Sequence, residues 1–493
     1  MIAAHLPALQ VVVPLIAAPL CVLLRRAALT WLVALAASWV SLAVALGLLL
    51  QVLESGTVSY LLGSWAAPWG IEYRVDLANA FLLVLVAAMA AVVVPYARAS
   101  VAAEIATGQH YLFWATFLLC LAGLLGIAIT GDAFNVFVFL EISSLATYIL
   151  IALGRDRRAL VAAYQYLVMG TIGATFIVIG VGLLYLMTGT LNLADLSQRV
   201  GDVRLVRPEL AALAFLTVGI SLKVALFPLH LWLPNAYAYA PSAVSAFLAG
   251  TATKVALYLL LRFGLTVFGQ SQALQGLPLG RTLLVLSVAA MFVASAVAIF
   301  QSDVKRMFAY SSVAQIGYIT LGVSFASATG LTAGLVHLFN HAVAKGAIFL
   351  LLGCVALRIG QPRIERIAGL GRRMPWTAAG LVVAGLSLIG IPGTVGFVSK
   401  WYLVLAALER GWWWLAALVL ASSLLAVVYV WRVVEACYLR EPSAPLSEAR
   451  EAPLSMLLPA WVLVAACVLF GLDTSSTVGL AAQAAQILLG GLQ

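Results

Sequence analysis

The sequence has 493 residues, of which 64% are hydrophobic and only 9% are charged, with a formal net charge of +9. This composition excludes a soluble globular protein, in which about 25% of the residues are charged. The basic residues lie mostly in short loops between apolar runs, a pattern typical of membrane topology rather than of nucleic-acid binding. Five cysteines are scattered through apolar segments without a CxxC or a Cys/His cluster, so no disulfide framework or metal site is indicated.

Apolar runs long enough to cross a bilayer recur along the whole chain, since about 20 residues suffice. We predict an all-α polytopic membrane protein with about 14 transmembrane helices. The first span is expected to be retained, because no signal-type cleavage region precedes it. The predicted spans are 7–24, 29–51, 77–97, 110–130, 133–153, 161–187, 209–227, 241–263, 280–300, 307–325, 331–357, 376–397, 412–436 and 454–472.

The arginines are distributed unevenly between the two sides of the predicted membrane. Loops after the odd-numbered spans hold most of them, including Arg155, Arg358 and Arg372, whereas the other loops hold few. By the positive-inside rule, the arginine-rich loops face the cytoplasm. We therefore expect a bacterial cytoplasmic membrane protein with both termini on the outer side.

Two predicted spans are interrupted. The segment FPLHLWLPNAYAYAP follows span seven and contains Pro228, Pro234 and Pro241, and span twelve contains IGIPGTVGFVSKW around Pro392. Broken helices at membrane depth are tolerated only where they are buried in protein or line a water-filled cavity. Two such segments in corresponding halves predict inverted repeats around a transport path, with simple packing kinks as the alternative.

Lysine and arginine occupy different places in this chain. Five of the 27 basic residues are lysines, and all but Lys305, which we place in a loop, lie inside apolar segments. Arginine stays charged under almost any condition, whereas lysine can lose its proton when it is removed from water. Lys223, Lys254, Lys345 and Lys400 are therefore predicted to form a proton relay; lysines that merely extend their charge to the membrane surface are the alternative.

Glu141, in the segment NVFVFLEISSLATYIL, is the carboxylate that we place deepest in a predicted span. A buried glutamate next to a charged lysine would itself be charged, whereas an isolated one would be neutral. We predict that Glu141 forms an ion pair with Lys223. A protonated glutamate bonded to a neighbouring helix is the alternative.

The segment HLFNHAVAKGAIFL places three titratable residues on one helix face. His337, His341 and Lys345 follow each other at intervals of four residues. Histidine titrates near neutral pH and can pass a proton through its two ring nitrogens. We predict that this face carries protons, although a histidine in a span is more often a packing residue.

Several polar residues could connect these groups through hydrogen-bonded water, and each could equally serve helix packing. They are Ser311, Ser312, Gln315, Tyr318, Thr147 and Tyr148. His230 follows Pro228 in the first break. It is either the cytoplasmic intake of the path or an interfacial histidine.

These residues together resemble a known family. The motifs are Glu141 in span five, KVALFPLHLWLP, TKVALYLLLR, DVKRMFAYSSVAQIGY, HLFNHAVAK and GIPGTVGFVSKWYL, which span residues 105 to 435. The chain resembles the antiporter-type membrane subunits of respiratory complex I, membrane-bound hydrogenases and Mrp-type cation/proton antiporters. Within the family it resembles the Mrp D-type subunit, although its twelfth-helix break reads IPG where PP often occurs, and Lys400 also fits the N-type subunit of complex I.

The resemblance implies the fold and the roles of the residues. Two inverted five-helix repeats, formed by helices 4–8 and 9–13, would contain the broken helices 7 and 12. The segments would be 1–105 for helices 1–3, 106–265 for the first repeat, 278–437 for the second, and 453–493 for helix 14 and the tail. The family pattern assigns Glu141 and Lys223 to its Glu–Lys pair, Lys254 to its central lysine, His337, His341 and Lys345 to its connecting group, and Lys400 to the end of the path.

Two functions follow from this resemblance. In the first, the chain is the proton-translocating subunit of a multisubunit Na⁺/H⁺ antiporter, without bond chemistry or a cofactor of its own, and its partners are other membrane subunits. In the second, it is a proton-pumping subunit of an NADH:quinone oxidoreductase or a membrane-bound hydrogenase, driven by electron transfer in partner proteins. A purely structural scaffold is disfavoured, because intramembrane lysine and glutamate would gain it little.

Overall fold

The apolar runs fold into helices because a membrane offers no water to the backbone, so each N–H and C=O group must be satisfied within the segment. The computed structural model describes residues 2–202, 206–269, 271, 277–442 and 449–490. Within these residues, 11 helices are long and apolar enough to cross a bilayer. The chain is therefore a multi-pass membrane protein.

The helices of the first half are α1 (Leu6–Leu24), α2 (Ala27–Ser55), α3 (Leu77–Glu104), α4 (His110–Ile129), α5 (Ala133–Ala152), α6 (Arg157–Thr188), α7 (Leu193–Val200), α8 (Val206–Val224), α9 (Trp232–Tyr239), α10 (Ser242–Gly250) and α11 (Ala252–Leu261). Those of the second half are α12 (Leu279–Ile299), α13 (Val304–Ser324), α14 (Ala328–Ile359), α15 (Leu370–Arg373), α16 (Pro375–Ile389), α17 (Val395–Glu409), α18 (Trp413–Tyr438), α19 (Leu454–Leu472) and α20 (Ser475–Gly490). A π-helical turn, Arg262–Val267, continues α11. The loop after α2 contains an antiparallel hairpin of β1 (Val58–Leu61) and β2 (Glu72–Val75).

Each predicted span corresponds to helical structure, and both predicted breaks are confirmed. Span seven is split into α8 and α9, and span twelve into α16 and α17. These two and the polar α13, which forms span ten, are the spans that fall outside the 11 apolar helices of the described residues. The predicted all-α fold, in which the seventh and twelfth membrane spans are broken, is therefore the fold of this protein.

One detail of the sequence interpretation is wrong. Lys305 does not lie in a loop but in the first turn of α13, where it is buried. The tail after span fourteen, to which the sequence analysis assigned no structure, forms α20, whose Ala481, Ala485 and Leu488 pack against α14. Alanine, serine and glutamine dilute the hydropathy of this helix, so its apolar face is not visible as an apolar run.

The long helix α14 is the centre of the second half. It has 32 residues and packs against α10, α13, α16, α17, α19 and α20. A helix enclosed by protein on most sides can carry polar groups that lipid would exclude. The predicted stripe of His337, His341 and Lys345 lies on this helix and is buried.

The two breaks leave backbone carbonyls without helical partners, and side chains satisfy them. At the first, Ala225 has a φ of 60° and the indole Nε1 of Trp232 donates to the Leu222 carbonyl at 2.8 Å. At the second, Gly390 has a φ of 89°, a left-handed conformation that glycine adopts without strain. The carbonyls there accept hydrogen bonds from Lys400, so this break is joined to one of the predicted functional residues.

The helix that carries Lys223 approaches its neighbour through glycines. A Cβ at Gly219 on α8 would lie 2.6 Å from the Gly173 carbonyl oxygen on α6. We predict that Gly219→Val separates the two helices and lowers the free energy of unfolding by about 1–3 kcal/mol. Thermal unfolding of the detergent-purified protein, followed by size-exclusion chromatography, measures this loss.

The matched control is Gly182→Val on α6, where a Cβ meets no atom within 4 Å. The control should unfold at the temperature of the unmodified protein. Equal stability of the two variants would contradict the close approach of α6 and α8.

Candidate functional site

Buried titratable side chains form a row through the middle of the protein. The predicted lysines lie on α8, α11, α14 and α17, and the two predicted histidines lie on α14. All six are buried, and Lys254 and Lys345 have no exposed surface. These six side chains are therefore enclosed by neighbouring helices.

Lys223 is held by hydroxyl groups of α5. Its Nζ donates to Ser144 Oγ at 2.8 Å and lies 3.4 Å from Tyr148 Oη. Ser144 and Tyr148 are one and two turns beyond Glu141 on the same helix. Tyr148, predicted as a relay residue, is thus in contact with the first lysine of the row.

The predicted ion pair between Glu141 and Lys223 is not a direct contact. Among the described residues, no carboxylate oxygen lies within 4 Å of Lys223 Nζ, and Glu141 Oε1 has no hydrogen-bond partner. The two hydroxyls occupy the ammonium, which removes the need for a carboxylate at contact distance.

A cavity of about 30 Å³ lies beside Lys223. Ser143, Ser144 and Thr147 line it from α5, and Ala252 and Val255 line it from α11. A cavity of this size has room for about two water molecules, each of which needs polar partners such as these hydroxyls. It connects Lys223 to the helix that carries Lys254.

Lys254 lies just after an interruption in its own helix. Thr251, between α10 and α11, has non-helical φ and ψ of −127° and −59°. Lys254 Nζ donates to the Ala249 carbonyl on the far side of the interruption and lies 3.4 Å from Thr253 Oγ1. The ammonium is therefore directed back along the helix toward α10.

Lys345 and His337 are both joined to α13, as the positions of Ser311 and Gln315 suggested. Lys345 Nζ donates to the Phe308 carbonyl at 2.6 Å and to Ser311 Oγ. His337 Nε2 lies 2.9 Å from Gln315 Oε1, and its Nδ1 lies 2.8 Å from Ser399 Oγ on α17. Two of the predicted connecting residues thus contact the stripe on α14.

His341 lies between these two groups and differs from both. Its ring is buried, and neither ring nitrogen has a hydrogen-bond partner among the described residues. Lys254, Lys345 and His337 are the groups whose charges act on it. An imidazole with both nitrogens unoccupied can accept a proton at one nitrogen and release one from the other.

Lys400 closes the row at the second broken helix. Its Nζ donates to the carbonyls of Leu388 and Ile389 at 3.0 and 2.9 Å and to Ser423 Oγ at 3.0 Å. The Tyr318 ring lies 4.7 Å from the ammonium and 5.3 Å from the His337 ring. Tyr318 therefore connects Lys400 with His337.

His230 is buried in the first break and stacks on Phe227, with ring centroids 5.3 Å apart. Its Nδ1 has no hydrogen-bond partner in the described part of the chain. The contacts found for it are with aromatic rings of Phe227 and Tyr310, not with the lysines. Its predicted intake role stays a prediction.

A larger polar cavity, of about 230 Å³, opens at the arginine-rich end of the helices. Lys305 is one of its lining residues and donates to Ser242 Oγ at 2.9 Å. Ser242 in turn donates from its backbone N and its Oγ to Glu104 Oε2, at 2.9 and 3.2 Å. Sequence reasoning missed this group because Lys305 was placed in a loop.

Other residues that hold the row were also missed. Ser144, Ser399 and Ser423 each bond to a predicted lysine or histidine. Only Ser399 carried a signal, since it directly precedes Lys400 in an apolar segment. Among the described residues, no group of three or more His, Cys, Asp or Glu side chains is placed to hold a metal ion.

Comparison with known proteins places the chain in a family. A family model described as "NADH:quinone oxidoreductase/Mrp antiporter, TM" matches residues 130–426. The chain belongs to this family. The matched region contains every residue of the row from Glu141 to Lys400, so the resemblance inferred from the motifs is confirmed.

Family members of two kinds are similar to this chain: subunits of NADH-quinone oxidoreductases and subunits of Na(+)/H(+) antiporters. The N-type subunit of the NADH-quinone oxidoreductase of Desulforudis audaxviator is 42% identical over 487 residues, which are 95% of this chain and 96% of that protein. The D-type subunit of the Na(+)/H(+) antiporter of Alkalihalophilus pseudofirmus is 31% identical over 431 residues, which are 87% and 86%. A protein of the Mrp complex from Dietzia has the same fold, with a TM-score of 0.89, 27% identity and coverage of 99% and 98%. These relatives are subunits of larger assemblies, which supports other membrane subunits as partners.

The hydroxyl that holds Lys223 provides a direct test of the site. We predict that Ser144→Ala removes a hydrogen bond to a charged group, worth about 1.5–3 kcal/mol. Proton movement in everted membrane vesicles should therefore fall by about one to two orders of magnitude. Acridine-dye fluorescence measures this movement.

Ser143→Ala is the matched control, because Ser143 lines the same cavity but donates to the Leu140 carbonyl of its own helix. Its proton movement should stay close to that of the unmodified protein. If both variants lose activity equally, the cavity and not the Lys223 contact is the important feature.

Proposed function

We propose that this chain is the proton-translocating membrane subunit of a multisubunit monovalent cation/proton antiporter, and that protons move along the row from Lys223 to Lys400. The observation that carries the proposal is the environment of His341. It is a buried imidazole with both nitrogens unoccupied in the described structure, subject to the charges of Lys254 and Lys345. A group placed in this way can pass a proton between two lysines.

The contacts of the lysines support reversible loss of a proton. Lys254, Lys345 and Lys400 are bonded to backbone carbonyls and to hydroxyl groups. Removing a charge from an ion pair leaves the partner charge buried alone, which is costly. A lysine held by neutral groups leaves no such charge when it releases its proton. Arginine could not serve here, because its guanidinium stays charged.

We propose that protons reach the row from the arginine-rich end. The 230 Å³ cavity lies at this end, and Lys305 lines it. Phe308, whose carbonyl binds Lys345, is one turn beyond Lys305 on α13. Water in the cavity would thus lie one helical turn from a residue that contacts the row. His230 in the first break is a second intake position.

The transported cation, the membrane and the orientation belong to the same proposal. The name of the antiporter relative supports Na⁺ as the cation that moves against the protons. We place the protein in the bacterial cytoplasmic membrane with both termini outside, which the arginine-rich loops support. The segments 106–265 and 278–437 would act as two inverted repeats, each with one broken helix.

A redox-driven pump is the second candidate, and the 42% identity to the N-type subunit of an NADH-quinone oxidoreductase favours it. The same row of groups would then carry protons in response to electron transfer in partner subunits. Both functions require the row, and they differ in the proteins that surround it.

The partner proteins discriminate between the two functions. We predict that the native complex, purified through an affinity tag on this chain, contains other antiporter subunits and moves protons in response to an imposed Na⁺ gradient. Mass spectrometry of the complex and vesicle fluorescence measure the two properties. Iron–sulfur subunits in the complex, with proton movement that requires an electron donor and is insensitive to Na⁺, would establish the second candidate.

The proposal that lysines release protons predicts the behaviour of arginine variants. Lys223→Arg and Lys254→Arg keep the positive charge but cannot deprotonate, so proton movement should fall at least tenfold while the complex still assembles. The control is Arg157→Lys, which exchanges one exposed basic residue for another at the start of α6. It should leave proton movement unchanged. Full activity of both arginine variants would refute the relay, although a static charge role would survive.

A further inference from the structure

A buried ion pair lies at the end of the protein opposite the arginine-rich loops. Arg262 Nη2 donates to Asp76 Oδ2 at 2.7 Å, and both side chains are almost fully buried, with 4% and 3% of their surface exposed. Asp76 caps the start of α3 by accepting hydrogen bonds from the backbone N of Ala78 and Asn79. Arg262 opens the π-helical turn after α11, a type of distortion that is frequent at functional sites.

This ion pair continues the helix face that carries Lys254. Lys254, Tyr258 and Arg262 follow each other at intervals of four residues, so they lie on one side of α11. Arg262 Nε donates to Tyr258 Oη at 3.0 Å. The tyrosine hydroxyl therefore keeps its own proton to donate, and a polar row leads from Lys254 toward the end of the helix.

A second observation indicates that the site holds a ligand of water size. Arg262 Nη1 is buried and has no hydrogen-bond partner in the described part of the chain. It lies at a cavity of about 10 Å³ lined by Asp76, Thr130, Gly131, Tyr258 and Arg262. This volume is about that of one water position, and the lining offers several polar partners.

The ion pair is poorly explained by stability alone. Replacing a buried ion pair by apolar residues of similar volume is often neutral or stabilising. The other charged group that lines the cavity is Arg74 from β2, and Thr130, Gly131 and Leu193 of the neighbouring elements are uncharged. Asp76 is thus a carboxylate in a cavity that is also lined by two arginines and one tyrosine. The cavity lies at the end of the α11 face that begins at Lys254.

We propose that Tyr258 and Asp76 form an outer half-channel that branches from the row at Lys254, through which Lys254 exchanges its proton with water at the end opposite the arginine-rich loops, and that Arg262 is the positioning residue that gates it. The inference rests on the proposed proton translocation. The Lys254 ammonium gives a proton to a water molecule, the water gives one to Tyr258 Oη, and the hydroxyl passes its own proton on. The Asp76 carboxylate accepts it, becomes a neutral acid and releases it to water outside, which restores the carboxylate.

The ion pair serves as the gate because protonation of Asp76 removes the charge that holds Arg262. The guanidinium then loses its carboxylate partner, and it keeps its contact with the Tyr258 hydroxyl. In the present structure the pair is closed and Lys254 is directed to the Ala249 carbonyl, away from Tyr258. This is the arrangement expected of a closed outer half-channel, since both halves of a transport path cannot be open together without dissipating the gradient.

The test uses the complete complex in membrane vesicles of both orientations, with the pH varied separately on each side. We expect Tyr258→Phe and Asp76→Asn to slow cation-driven proton movement at least tenfold without loss of assembly. Asparagine retains the Oδ1 that caps α3, so the helix start is preserved. The dependence on pH should weaken on the side opposite the arginine-rich loops and persist on the other side. The control is Tyr73→Phe, which removes the hydroxyl of a buried tyrosine of β2 that is not part of the proposed half-channel. It should leave the rate of proton movement unchanged.

The double variant Asp76→Asn/Arg262→Gln distinguishes a proton path from a structural clamp. It removes both charges and leaves none unpaired, so a structural role predicts that it restores the activity lost in Asp76→Asn. A proton path predicts that it stays slow, because the carboxylate is absent. Restored activity, or a Tyr258→Phe variant with unchanged rate, would overturn the inference. If the unmodified complex moves no protons, the proposed function itself fails.

Discussion

The constraint on which this structure depends is that an ammonium buried in an apolar interior needs hydrogen-bond partners, while most carbonyls of a helix are already bonded within it. At two lysines the chain meets this constraint by interrupting a helix. Lys254 is bonded to a carbonyl across the interruption at Thr251, and Lys400 to two carbonyls at the end of α16. Lys223 is bonded to hydroxyl groups of α5, and Lys345 to a hydroxyl and to the Phe308 carbonyl of the uninterrupted α13. Neutral oxygen atoms therefore satisfy all four buried ammonium groups.

Neutral partners have a consequence for function. A lysine that is paired with a carboxylate is held in its charged form, whereas a lysine among carbonyls and hydroxyls is free to change its protonation without leaving another charge behind. The separation of Glu141 from Lys223 fits this pattern, because Lys223 is bonded to hydroxyl groups and not to a carboxylate. The Asp76–Arg262 pair is the contrasting case, a direct contact of opposite charges at the end of the α11 face that carries Lys254. The protein thus combines lysines held by neutral groups with one tightly paired arginine.

Much of this architecture follows from patterns that the sequence carries locally. Apolar length predicts the spans, proline and glycine at membrane depth predict both breaks, and the interval of four residues predicts the buried face of α14. The choice of lysine over arginine inside the spans indicates which basic residues are buried together between the helices. Each of these signals is local, because it depends on residue type and on spacing within one segment. Features without a local signal were missed: α20 has too much alanine and serine to read as an apolar run, and Lys305 looks like a loop residue beside Arg306.

The sequence by itself determined which residues could titrate inside the membrane and on which helices they lie. Only the tertiary structure decided what each of them contacts, because a partner such as Ser144 for Lys223 is 79 residues away along the chain. In the structure Lys223 contacts two hydroxyl groups and not Glu141. His341 has no hydrogen-bond partner for its ring among the described residues, and Asp76 contacts Arg262, which is 186 residues away along the chain. Periodicity shows the face of a helix, but the neighbour that covers this face is set by how the helices pack. For that reason the sequence predicted which groups form the row. The packing of the helices determined what each group contacts and brought Asp76 to Arg262.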